Sequence, residues 1–234
     1  MSGSLVSPAT RQRVRDLATP IAVALGRLGL TPNALTIIGF LGTCVAAAAA
    51  ASQAWWVAGI LVLVFGIFDL FDGTLARATG RTSTFGAFLD STLDRAGEAI
   101  TYVGVAAGCL AAGFELAAIL AAAALGASSL VSYVRAKAES LAVAPPSGMA
   151  SVGLAPREVR LALLALGLLV AGVLGPVGPW TFVCPGDQLV SCASPDAFQR
   201  GDLILGGALG LIAILATVTV VQRIVQVRTQ TREG

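Results

Sequence analysis

The residues best equipped for chemistry are four aspartates in one short run. Asp69 and Asp72 are three apart, and Asp90 and Asp94 are four apart. Either spacing puts both carboxylates on one face of a helix. Apolar sequence surrounds each pair, and an ionisable residue in a membrane span costs on the order of 2.5 kcal/mol or more. Four like charges in one cleft also repel. A hard divalent cation held by carboxylate oxygens offsets both costs. Mg²⁺ or Mn²⁺ suits such ligands better than Zn²⁺, which favours His and Cys. The chain has no histidine at all, so general acid/base work falls to carboxylates, metal or the few basic residues. The competing reading pairs the carboxylates separately with Arg77, Arg81 and Arg95.

Nearby residues suit phosphate. Gly73 lets a ligand approach the backbone closely. Arg77 offers a planar fork for phosphate oxygens. Gly86 permits tight helix contact. Together these residues read as a site where metal neutralises a diphosphate while one carboxylate accepts a proton from an attacking hydroxyl.

Long apolar helices must carry this site. Of the 234 residues, 56% are hydrophobic and only 12% charged, with a mean hydropathy of +0.84. Soluble domains carry about 25% charged residues. Six stretches are long enough to span a bilayer, which takes about 20 residues each. They run over about 33–52, 54–78, 85–112, 114–142, 157–174 and 201–225. The expected fold is therefore an all-α integral membrane protein with six transmembrane helices. The second and third spans are expected to be adjacent and antiparallel, so that the four carboxylates share a cleft. Asp90 then lies about 10 Å along its helix from Ser83, at 1.5 Å per residue, close to one membrane surface.

Residues 1–30 read as a cytoplasmic amphipathic helix lying on the membrane, with Val14, Leu17, Ala18, Ile21, Leu25 and Leu28 on one face. The alternative packs that helix on protein, and Pro20 is expected to kink or break it. The membrane domain covers 31–227 and a cytoplasmic tail 228–234. With six spans, every Lys and Arg except Arg200 falls on the side of both termini, so that side is cytoplasmic. The connection from about 175 to 199 lies opposite. It holds Cys184 and Cys192, either disulfide-bonded or free. Cys44 and Cys109 read as apolar filler.

The pattern D-x₂-D-G-x₂-A-R-x₈-G-x₃-D-x₃-D is complete from Asp69 to Asp94. It resembles the signature of the CDP-alcohol phosphotransferase family, also called CDP-alcohol phosphatidyltransferases, and most closely its actinobacterial phosphatidylinositol phosphate synthase branch. The resemblance implies a homodimeric enzyme of a bacterial inner membrane that uses CDP-diacylglycerol and two metal ions. It implies metal binding by Asp69, Asp72, Asp90 and Asp94, with Asp94 also the base. Gly73, Arg77 and Ser83 would hold the CDP diphosphate. Asn33, Ala34, Leu35 and Thr36 would line the nucleotide pocket. As residues alone, Thr31 and Pro32 before them read as a helix start.

Branch resemblance rests on A-T-P-I-A near Ala18, G-L-T-P-N near Gly29, L-D-S-T-L-D-R at Leu89 and S-Y-V-R-A-K-A-E at Ser132. Arg135, Lys137, Arg157 and Arg160 gather at the cytoplasmic ends of spans four and five and suit an anionic acceptor such as inositol phosphate. The positive-inside rule alone would also put them there. Synthases of this branch have a P-E-R-L-like run, whereas this chain has P-R-E-V-R-L. Arg160 is then the match and Arg157 an extra arginine. Glycerol 3-phosphate is the alternative acceptor. A small cation transporter is a reading from another class, which would need carboxylates near the midplane and access from both sides.

Overall fold

The computed structural model describes residues 19–144, 149, 152–174 and 195–233. The described residues contain helices and connections but no strand. Helix α1 occupies 19–27, followed by α2 (Pro32–Ala51), α3 (Trp55–Ala78), α4 (Thr84–Ala111), α5 (Glu115–Ser140), α6 (Arg157–Leu174) and α7 (Pro195–Glu233). Helices α2 to α6 match the apolar stretches closely. Helix α7 starts before its stretch and runs on through residues assigned to a tail. Pro20 sits within the described part of α1 without ending it. Val14, Leu17 and Ala18, and also Cys184 and Cys192, lie outside the described residues.

Capping explains two of the helix starts. Thr31 accepts from the Ala34 N–H at 3.2 Å, with Pro32 opening α2. Ser83 accepts from the Gly86 N–H at 2.9 Å and caps α4. Helices α2, α3, α5 and α7 are long and apolar enough to cross a membrane. Many large apolar side chains face outward, among them Leu41, Val45, Ile119 and Ile214. Such a surface is at home in lipid rather than water, and the chain is a membrane protein.

The six long helices close into a ring in the order α2, α3, α6, α7, α5, α4. Helices α3 and α4 are therefore not packed along each other, contrary to the sequence expectation. Helix α2 stands between them and contacts both, which leaves a cleft where their acidic faces approach.

Small residues let these helices come close. A Cβ on Gly104 would lie 2.3 Å from the Ala47 carbonyl oxygen, and one on Gly108 2.0 Å from that of Ala50. In lipid, such backbone contact replaces the hydrophobic drive as the main source of helix association. Gly104→Ala is expected to force α4 off α2 and cost about 1–3 kcal/mol. The measure is the unfolding temperature in detergent, against Gly207→Ala as control. Nothing lies within 4 Å of a Cβ at Gly207. Equal unfolding temperatures for the two variants would remove this account of the α2–α4 contact.

Helix α1 packs on protein. Ala22 is fully buried and packs with Leu35 of α2 and Leu75 of α3, with Leu25 beside them. Leu28 stays 79% exposed, so part of the apolar face remains free. Cys109 is buried in the main core and Cys44 is partly covered; both are free thiols.

Candidate active site

Asp69 and Asp72 come from the last turns of α3, and Asp90 from the second turn of α4. One carboxylate oxygen from each lies within 4.8 Å of the other two. Oxygen ligands at about 2.0–2.1 Å from a shared Mg²⁺ would fall inside that range. An all-oxygen donor set also matches a hard cation. The three residues fit a divalent metal ion.

Asp72 is the most firmly placed of them. It is 5% exposed, and its Oδ2 accepts from Thr36 Oγ1 at 2.6 Å. Its Oδ1 accepts from the Gly73 N–H. Thr36 is thus a support for a carboxylate, one helix away. Leu35 is buried against α1 and α3, and the Ala34 N–H is used by the Thr31 cap. Asn33 points toward the start of α4: a Cβ on Gly86 would lie 3.1 Å from Asn33 Oδ1 and 3.0 Å from Ser83 Oγ. Gly86 therefore lets the first turns of α2 and α4 meet. Arg77 is exposed and folds back over Gly73, where a Cβ would lie 3.3 Å from its Nη1.

Asp94 lies against Asp69, although its oxygens are not among the three that converge. Its Oδ1 pairs with Arg157 Nη1 at 2.9 Å, and its Oδ2 with Arg95 Nη1 at 3.6 Å. Arg157 Nη1 also contacts Asp69 Oδ2. An arginine expected at an acceptor phosphate is thus bonded to two of the four aspartates. Asp94 also lines a groove of about 670 Å³, together with Asp90, Arg95, Ser132, Tyr133 and Arg135. That groove could admit a small polar molecule beside the triad. Arg135 is partly covered and pairs with Glu139 at 2.9 Å, while Lys137 is exposed and does not line the groove.

Arg160 is placed differently from expectation. Its side chain is 1% exposed and grips Glu98 of α4 with Nε and Nη2, each 2.9 Å from a carboxylate oxygen. Nη1 donates to the Ala155 carbonyl at 2.9 Å. The reason is helical phase: Arg157 and Arg160 are three apart, so both turn inward together. Glu98 was missed in the sequence. Its signal was present, because it continues the four-residue spacing of Asp90 and Asp94 on the same face of α4.

Comparison with known proteins agrees with this geometry. Residues 29–190 match the family model described as CDP-alcohol phosphatidyltransferase. A phosphatidylinositol phosphate synthase of Cutibacterium acnes is 38% identical over 211 residues, 89% of this chain and 91% of the relative. An archaetidylinositol phosphate synthase of Pyrococcus horikoshii is 39% identical over 163 residues, 70% of this chain and 82% of that protein. A crystal structure of Mycobacterium tuberculosis phosphatidylinositol phosphate synthase with CDP-DAG bound is similar at a TM-score of 0.71 and 28% identity, covering 92% of this chain and 94% of that one. A structure of the same enzyme in complex with manganese and citrate gives 0.70 at 28% identity, over 91% and 89%. A signature that is complete at every position, on helices that bring three of its aspartates to one point, leaves a single assignment: this chain belongs to the CDP-alcohol phosphatidyltransferase family of transferases.

Proposed function

We propose that this enzyme transfers the phosphatidyl group of CDP-diacylglycerol to inositol phosphate, releasing CMP. The observation that carries the reading is the Asp69–Asp72–Asp90 triad beside a polar groove that reaches Asp94 and Arg135. The names of the relatives support the substrates. Relatives that act on different lipids share an inositol phosphate headgroup in their names.

The triad would hold a divalent ion, Mg²⁺ or Mn²⁺. When bound, the ion supplies charge neutralisation for the diphosphate and its departing CMP. The family resemblance implies two ions; the triad geometry supports one. Arg77 and the Gly73 backbone would hold the diphosphate. Asn33, Ser83 and the start of α2 would border the nucleotide, with two helix N-termini favouring negative charge. Asp94 would take the acceptor's hydroxyl proton. The hydroxyl oxygen would then bond to the phosphatidyl phosphorus as the bond to CMP breaks. Arg135 and Arg95 in the groove would meet the acceptor's phosphate. Arg160, 1% exposed and gripping Glu98, would shape the site rather than hold that phosphate.

The proposed topology has six spans, with both termini and the site cytoplasmic. Helices α4 and α6 are less uniformly apolar than the other four because they carry charges at the site: Asp90, Asp94, Arg95 and Glu98 on one, Arg157, Glu158 and Arg160 on the other. At 1.5 Å per residue they are about 42 Å and 27 Å long; the first exceeds the roughly 30 Å of hydrocarbon and the second, at 18 residues, is at the short end of the range for a span. The proposed assembly is a homodimer, on family resemblance.

The test is an acceptor screen. Purified protein with CDP-diacylglycerol and Mg²⁺ is given inositol phosphate, glycerol 3-phosphate or free inositol in turn, and CMP and lipid product are measured. Inositol phosphate is expected to be the preferred acceptor. Turnover with glycerol 3-phosphate and none with inositol phosphate would reject the assignment.

A further inference from the structure

We propose that Thr219 and Gln222 of α7 are positioning residues for the acceptor, which they serve by pinning the connection into α6. This deepens the reading of the site as one that joins a CDP-linked lipid to inositol phosphate, and it rests on that reading. The ring order supplies the first reason. Helix α7 packs on α5 and α6 and stands opposite α2. The residues read as holding CDP-diacylglycerol, among them Asn33, Gly73, Arg77 and Ser83, belong to α2, α3 and the cap of α4. Ser132, Tyr133 and Arg135 of the polar groove belong to α5. Helix α7 thus backs the acceptor side of the site.

Thr219, Gln222 and Arg223 share one face of α7, at spacings of three and four. All three bond to the backbone that leads into α6. The Ala155 N–H donates to Thr219 Oγ1 at 3.0 Å, and the Leu154 N–H donates to Gln222 Oε1 at 3.2 Å. Arg223 Nε donates to the Val152 carbonyl at 3.1 Å. The Thr219 hydroxyl gives its own proton to the Leu215 carbonyl at 2.8 Å, so its oxygen meets Ala155 as an acceptor. Thr219 is fully buried and Ala155 is 1% exposed, so losing this bond strands a buried N–H. Gly153 has φ +118°, and a Cβ there would lie 2.2 Å from Thr219 Cγ2. Glycine is what lets the connection lie this close to α7. Met149 and Val152 are buried with Ala138 of α5, and Val227 of α7 packs against them.

From this anchor a chain of bonds runs to the groove. The Ala155 carbonyl accepts from Arg160 at 2.9 Å. Arg160 grips Glu98, and Glu98 lines the groove beside Asp94. A displacement of the 154–155 backbone therefore moves the groove wall. Misplacement by about 1 Å can cost about 10²-fold in a positioned reaction. Thr219 and Gln222 touch no substrate themselves and act only through this chain.

The test is steady-state kinetics of the purified full-length protein in detergent, with the KM of each substrate measured at a saturating level of the other. Thr219→Val keeps the shape of the side chain and removes the acceptor for the Ala155 N–H. It should raise the KM for inositol phosphate about tenfold and leave the KM for CDP-diacylglycerol unchanged. Gln222→Leu should act in the same direction. Thr219→Ser keeps the hydroxyl and should restore the wild-type KM. Thr217→Val is the control, because its hydroxyl bonds the Ala213 carbonyl at 2.8 Å on the exposed face of α7. It should change neither KM. A substitution that only lowers the folded fraction reduces kcat and moves neither KM. Amide hydrogen exchange at Leu154 and Ala155 should quicken in Thr219→Val, showing the anchor released. Unchanged exchange overturns the proposal. So does faster exchange with the acceptor KM unmoved, or with both KM values raised alike. The two readings fail separately. A wild type that takes glycerol 3-phosphate and refuses inositol phosphate fails the acceptor reading, and the KM for glycerol 3-phosphate then decides this proposal in the same way.

Discussion

Asp72→Asn is expected to lower CMP release from CDP-diacylglycerol by about 10³-fold or more. A metal ion contributes several kcal/mol of charge stabilisation in such a transfer, and each 1.36 kcal/mol is tenfold in rate. The amide keeps the shape of the side chain and can still accept the Thr36 hydroxyl, which lies 2.6 Å from Asp72 Oδ2. What it loses is the negative oxygen that completes the set with Asp69 and Asp90. The fold should survive. Neutralising one of three close carboxylates relieves repulsion, so without added metal the unfolding temperature should hold or rise. The checks are the CMP-release rate at saturating Mg²⁺ and the melting curve of the same preparation. Activity within tenfold of wild type in a folded variant would falsify the metal assignment for Asp72.

Breaking the Arg160–Glu98 pair is expected to give the largest loss of stability. Both partners are almost fully buried, and the guanidinium binds both carboxylate oxygens. Removing one partner strands a charge in the protein interior, which costs about 3–5 kcal/mol. Glu98→Ala and Arg160→Ala should each melt far below wild type in detergent. Replacing both at once, as Glu98→Leu with Arg160→Met, should recover much of the loss, because no unpaired charge remains. The double variant tests charge against packing. If the single variants melt like a surface substitution, within about 0.5 kcal/mol, the pair does not hold α4 to α6. Loss of the pair should also impair catalysis. Arg160 holds Ala155, which sits two residues before Arg157, and Glu98 lies one turn beyond Asp94 on α4.

These two expectations differ in where they could be read. Asp72 was visible as half of a same-face pair in an apolar run, because the geometry of a helix is local. Glu98 and Arg160 were both present in the sequence, but their pairing joins residues 62 apart. Arg160 was accordingly expected at a phosphate, and Glu98 was passed over.

Local order followed from the chain alone. Apolar length set the helices from α2 to α6 to within a few residues, and Thr31 marked the start of α2 by its cap. The spacing of Asp69 with Asp72, and of Asp90 with Asp94, determined which side chains share a helix face. Only the tertiary structure decided the ring order of the helices, and with it that α2 separates α3 from α4 while Thr36 reaches Asp72. It also decided that Arg157 bridges Asp69 and Asp94. The physical reason is range: backbone hydrogen bonding and capping act within a few residues. Which charged groups meet across helices depends instead on how small residues such as Gly104 and Gly108 let the backbones pack.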